Sequence, residues 1–125
     1  MAQSILIVDD ERLLVRTLSA ALRDAGFRTV TAASAELAEK YLDAEAAIAV
    51  AVLDNRLPGR SGIEMLREAR ARGLTWRVVL MTAYGSVGVQ QAAEELGVDR
   101  YVHKPFDLPE MVSAIAALYG ARDAV

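Results

Sequence analysis

Apolar residues fall along this chain in two alternating rhythms. Short unbroken runs such as Ile5–Val8, Ala49–Leu53 and Val78–Met81 have the length of a buried strand and are too short for most helices. Between them, apolar residues recur every three or four positions. Residues 4–8 read as a strand. A helix follows with Leu14, Leu18, Ala21, Leu22 and Ala25 on one face, and Gly26 stands where a left-handed cap would end it. Phe27–Thr31 reads as a second strand, and Ser34 caps a second helix showing Leu37, Tyr41 and Leu42. Ala47–Leu53 is a third strand, apolar throughout, as expected when both faces are buried. Ser61-Gly62-Ile63-Glu64 has the form of a capping box and opens a helix that stops near Gly73. Val78–Thr82 is a fourth strand. The next helix runs from about Ser86 to Leu96, with Val89, Ala92, Ala93 and Leu96 on one face and Gly97 after it. Arg100–His103 is a fifth strand. Asp107-Leu108-Pro109-Glu110 starts a last helix whose face is Leu108, Met111, Val112, Ile115 and Tyr119. Strand then helix, five times over, predicts a doubly wound α/β domain: a parallel sheet with helices on both faces and right-handed crossovers.

The strand ends carry the chemistry. The first run closes on Asp9-Asp10, the third on Asp54, the fourth on Thr82, and the fifth on Lys104-Pro105. In an open parallel sheet ligands bind beyond the carboxyl ends of the strands, where strand order reverses. With strand order 2-1-3-4-5 that point lies between strands 1 and 3, which end in Asp9-Asp10 and Asp54. Three carboxylates at one place raise one another's pKa unless a cation compensates. Mg²⁺ suits an all-oxygen set and bridges readily to phosphate. An aspartate can attack phosphorus to give an aspartyl phosphate. The cation would neutralise one phosphoryl oxygen, Lys104 a second, and the Thr82 hydroxyl with a nearby backbone N–H, that of Ala83, a third.

Bulk properties narrow the function classes. A chain of 125 residues fits one domain, and 54% hydrophobic residues suffice for a core. The 14 basic and 17 acidic residues leave a net charge of −3, which gives no pull towards nucleic acid or anionic membrane. Without cysteine there is no disulfide frame and no thiolate metal site. The run Ile5–Val8 is too short for a leader and meets Asp9-Asp10-Glu11 at once, and no apolar run nears the roughly 20 residues that cross a bilayer. A cytoplasmic domain over residues 1–120 is expected, with 121–125 as a tail or the start of a linker.

Taken together, Val8-Asp9-Asp10-Glu11, Asp54-Asn55-Arg56-Leu57-Pro58-Gly59 with Gly62, Met81-Thr82-Ala83 and Tyr101-Val102-His103-Lys104-Pro105-Phe106 resemble the receiver domain of two-component response regulators over essentially the whole chain. The resemblance implies a flavodoxin-like (βα)5 fold and a phosphorylation switch rather than a conventional enzyme. It implies that Asp54 is the phosphoacceptor, Asp10 the direct Mg²⁺ ligand, Asp9 a ligand through water, and the Arg56 backbone carbonyl a further ligand. It makes Thr82 and Tyr101 the switch pair, and Lys104 the phosphoryl-contacting lysine before a cis bond to Pro105. Arg56 and Tyr84 would flank the phosphoryl group. The expected partners are a sensor histidine kinase or histidine phosphotransfer protein upstream, and an output domain, downstream protein or second copy acting through the helix 4–strand 5–helix 5 face. The stretch Met81–Val87 is most similar to receivers of enhancer-binding activators that work with sigma-54. Two other classes are weighed against this one. An aspartyl-phosphate phosphatase places its nucleophile in an Asp-x-Asp element after strand 1, unlike the pattern here. A phosphate-independent module of the same fold would be indifferent to Asp54→Asn.

Several residues keep a plain structural alternative. Tyr101 can simply pack, and His103, the single histidine, is expected as a partly exposed strand-end residue. Gly85 and Gly88 make the amino end of helix 4 easy to unwind, which marks it as a candidate moving part. Ala114 and Leu118 form either an exposed strip on helix 5 or part of a broad buried face.

Overall fold

The computed structural model describes residues 3–83 and 85–121. Tyr84, expected beside the phosphoryl group, and residues 122–125 of the expected tail lie outside the described residues. The elements are β1 (Ser4–Val8), α1 (Arg12–Asp24), β2 (Arg28–Ala32), α2 (Ala35–Ala38), β3 (Ile48–Asp54), α3 (Gly62–Ala71), β4 (Arg77–Thr82), α4 (Val87–Glu95), β5 (Arg100–His103) and α5 (Leu108–Ala121). Every strand pair is parallel, in the order β2-β1-β3-β4-β5. The reversal of strand order falls between β1 and β3, as the alternating pattern predicts.

The two faces of the sheet are two cores. Ile5, Ile7, Val50, Val52, Val79 and Met81 point one way, against Leu18 and Leu22 of α1 and Met111 and Ile115 of α5. Leu6, Val8, Ala51, Leu53, Val78 and Leu80 point the other way, against the small or aliphatic residues of α2, α3 and α4. This is why β1 and β3 are buried at every position. Leu118 packs with the α1–α5 core, and Ala114 is half-buried, so the broad buried face is the one that forms.

The predicted caps at Ser34 and Ser61 hold, and Ser86 forms a third. Ser34, Ser61 and Ser86 accept the backbone N–H of Leu37, Glu64 and Val89, and Glu64 returns the bond to the Ser61 N–H. The second helix is shorter than predicted: after Ala38 the chain tightens into 3₁₀ turns at Glu39–Tyr41 and Ala44–Ala46. Asp43 accepts the Glu45 N–H at 2.9 Å, a local bond that competes with helix continuation. β3 starts one residue later than predicted because Ala47 adopts a left-handed conformation, φ 55°, outside the strand.

Two contacts position the loop after β3. The Asn55 carbonyl accepts the Gly62 N–H at 3.1 Å, and its side-chain oxygen accepts the Ile63 N–H at 3.4 Å. Gly62 lies so close to β3 that a Cβ there would sit 2.5 Å from the Asp54 carbonyl oxygen and 3.2 Å from the Asn55 Cα. Both neighbours are backbone and cannot swing away. Gly62→Ala should therefore cost about 2 kcal/mol by overpacking, read as a lowered urea midpoint with an unchanged m-value.

Candidate functional site

Parallel register brings four strand ends to one edge. Val8 pairs with Leu53, Asp54 with Met81, and Thr82 with His103. Asp9 and Lys104, each the residue after a strand, therefore emerge beside Asp54 and Thr82. Asp9, Asp54 and Thr82 are buried.

Lys104 joins the group together. Its Nζ donates to Asp9 Oδ2 at 2.8 Å, Glu11 Oε1 at 3.0 Å and Asp54 Oδ2 at 3.1 Å. An ammonium has three hydrogens, and here each has a carboxylate. Burial opposes the Lys104 charge, but the bonds from Asp9, Glu11 and Asp54 outweigh it and push its pKa above the ordinary lysine value. The Asp54 pKa is also raised, which for a carboxylate disfavours the charged form. Burial, and then the charge of Asp9, raise its pKa, while the Lys104 hydrogen bond and the Arg56 backbone N–H, 3.1 Å from Asp54 Oδ1, hold it down. Asp9 Oδ1 in turn accepts the Glu11 backbone N–H at 2.9 Å.

One carboxylate oxygen from each of Asp9, Glu11 and Asp54 lies within 4.8 Å of the others. The two buried members, Asp9 and Asp54, repel each other and fit a hard divalent cation, while the exposed Glu11 stands at the rim. Glu11 is the residue that motif reading passed over. The signal for it was spacing: two residues past Asp9, it stands where the chain turns into α1. Asp10 is exposed and is not among those three carboxylates. The Arg56 side chain and Ala83 are exposed, and Lys104–Pro105 is a cis peptide. A groove beside Lys104 is lined by Glu11, Leu13, Leu14, Ala83 and Phe106, among others.

Tyr101 and Thr82 converge on Gly85. The Tyr101 ring meets the His103 ring edge-on, with centroids 5.4 Å apart, and its buried hydroxyl has no hydrogen-bond partner among the described residues. A Cβ at Gly85 would lie 2.7 Å from that hydroxyl, 3.2 Å from His103 Cε1 and 3.6 Å from Thr82 Cγ2. His103 itself ends β5 and is exposed, more fully than the partial exposure expected.

Comparison with known proteins adds an independent line. The sequence profile described as "Response regulator receiver domain" matches residues 5–116. Sporulation initiation phosphotransferase F of Bacillus subtilis is 35% identical over 115 residues, 92% of this chain and 92% of that protein. Photosynthetic apparatus regulatory protein RegA of Rhodobacter capsulatus is 33% identical over 92% of this chain and 62% of its own length. Regulatory protein AtoC of Escherichia coli is 41% identical over 107 residues, 86% of this chain and 23% of its own length. The chain thus spans nearly all of one relative and a part of the other two. In fold it is similar to a CheY-like response regulator receiver domain protein of Methanospirillum hungatei, with a TM-score of 0.91, 23% identity and 98% of both chains covered.

Two outcomes follow from the geometry. Asp54 is an anion in a place that disfavours it, so Asp54→Asn should stabilise the fold at pH 7 by roughly 1 kcal/mol. The cost of Asp54 is absent below the ordinary carboxylate pKa, grows as pH rises from there to its raised folded value, and is complete above that value. Urea unfolding of both chains at pH 7 and pH 4 should therefore show a gain that shrinks in acid. Gly85→Ala should turn the Tyr101 ring away from His103, erasing the ring-to-ring NMR contact. It should change stability by less than about 1 kcal/mol, because the orphaned hydroxyl gains water as the ring moves.

Proposed function

The chain belongs to the response regulator receiver family, and from that premise we propose that Asp54 is its phosphoacceptor. Receiver domains are signalling switches of two-component systems. The observation that carries the assignment is the buried Asp54 carboxylate, ion-paired to Lys104 and crowded by Asp9. A carboxylate must be ionised to attack phosphorus, and Lys104 is what keeps Asp54 ionised against its burial. An Asp54 oxygen attacks the phosphorus of a phosphohistidine on a sensor kinase or phosphotransfer protein. A P–O bond forms, the donor P–N bond breaks, and the imidazole leaves with the bond's electron pair. Lys104 then faces one phosphoryl oxygen, and the Thr82 hydroxyl with the Ala83 N–H another. Mg²⁺ is the proposed metal, with Asp9, Asp10, Asp54 and the Arg56 carbonyl as its ligands, and when bound it would neutralise the remaining charge.

The donor's route passes the groove beside Lys104. Its apolar lining, with Leu13 exposed on α1, is continuous with the site and suits the face of a helical partner that presents the phosphohistidine. The added charge would draw in Thr82 and, through Tyr101, reshape the α4–β5–α5 surface for an output domain, a downstream protein or a second copy. Self-catalysed phosphorylation and hydrolysis, in the cytoplasm, complete the proposal. Among the described residues no helix is long and apolar enough to cross a membrane.

Intact mass after incubation with acetyl phosphate and Mg²⁺ tests this directly. The wild-type chain should gain one phosphoryl group, with acetate as the leaving group. The Asp54→Asn chain, and the wild type with EDTA, should gain none. Undiminished labelling of Asp54→Asn would move the acceptor elsewhere.

A further inference from the structure

We propose that Glu11 is a positioning residue for phosphoryl uptake: it occupies the third hydrogen of Lys104 at rest and must release it before the ammonium can receive a phosphoryl oxygen. This rests on Asp54 being the acceptor.

The three partners of Lys104 are not equivalent. The side chains of Asp9 and Asp54 are 0% and 6% exposed, that of Lys104 is 9% exposed, and that of Glu11 is 61% exposed. Stripping Lys104 from Asp9 or Asp54 would leave a buried charge without its partner, which is strongly unfavourable. Stripping it from Glu11 returns a carboxylate to water, where exposed ion pairs contribute little. Of the three bonds, the one to Glu11 is therefore the one that yields to an incoming phosphoryl oxygen.

A local structural role does not account for this orientation. Glu11 is the N-cap residue of α1, where a side-chain oxygen usually accepts a backbone N–H of the first turn, yet its side chain makes no capping bond. It reaches instead across the chain to Lys104, 93 residues away in sequence. Its backbone N–H, held by Asp9 Oδ1, fixes the direction from which it does so. Glu11 also lines the groove beside Lys104, on the side from which a donor would approach. A competing anion is thus placed on the approach side of the lysine that must bind the phosphoryl group.

The competition predicts faster uptake when the Glu11 charge is removed, provided Lys104 is there to be freed. Initial rates of labelling by acetyl phosphate at saturating Mg²⁺, followed by intact mass, are compared for the wild type, Glu11→Gln, Lys104→Ala and the double variant. Glu11→Gln should label three- to tenfold faster than the wild type. In the Lys104→Ala background the same substitution should change the rate by less than twofold. A second readout is the Mg²⁺ concentration for half-maximal rate, which Glu11→Gln should not raise. Equal acceleration in both backgrounds would mean that Glu11 merely repels the donor, and would overturn the proposal. Slower labelling, or a raised Mg²⁺ requirement, would make Glu11 a metal ligand instead and also overturn it. A labelled wild type with no effect of Glu11→Gln rejects the role of Glu11 and leaves the acceptor assignment standing. A wild type that takes no label rejects the assignment, and Glu11's role with it.

Discussion

One ammonium group underlies the whole carboxyl edge of this sheet. Asp9 and Asp54 sit on neighbouring strands with their side chains out of water, and two such anions cannot share a site without a compensating charge. Lys104 supplies it from just past β5, 95 residues from Asp9 and 50 from Asp54 in sequence. The Glu11 and Arg56 N–H groups complete the first layer of compensation, each donating to the remaining oxygen of one carboxylate. The result is an arrangement in which charge is balanced but crowded, and in which a phosphoryl group or a divalent cation would change every partner of Lys104 at once.

The backbone around Asp54 is made to resist that change. Asn55 is held by the Met81 carbonyl on one side and by the first turn of α3 on the other, and Gly62 lets that turn approach β3 within van der Waals contact. A carboxylate on a rigid strand end loses little orientation when charge arrives. The response must then be taken up where the packing is looser, along β4, β5 and the segments that follow them.

The alternation of buried runs with helical stripes was enough to place five strands, and the strand ends placed Asp9, Asp54, Thr82 and Lys104 at one edge before any coordinates. These were legible because they follow from period and topology alone. Helix 2 was overextended because Tyr41 and Leu42 keep a helical spacing of apolar residues, while the hydrogen bonds beneath them belong to 3₁₀ turns that spacing does not reveal. Glu11 was passed over for a different reason. As an acidic residue at a helix start it looks like ordinary dipole compensation, and only the long reach of Lys104 shows its carboxylate turned elsewhere. Which residues around a strand end actually close on one another depends on side-chain direction, which residue order does not encode.

The two ends of α4 are held very differently, and this gives the site a direction in which to act. At the far end, the Arg70 guanidinium donates to the carbonyls of Leu74, Trp76 and Leu96, tying the end of α4 to the end of α3 and the start of β4. At the near end, Ser86 caps a first turn that contains Gly88 and the exposed Val87, and of that turn's residues only the half-buried Val89 packs against the core. A side chain at Gly85 would press on the Tyr101 hydroxyl, His103 and Thr82, so the chain entering α4 passes close to the side chains that border the site. Lys104 is coupled to them through the backbone, its N–H donating to the Thr82 carbonyl at 2.8 Å. A change in the partners of Lys104 therefore meets a stiff carboxylate, a short strand edge and a helix held more firmly at its distant end.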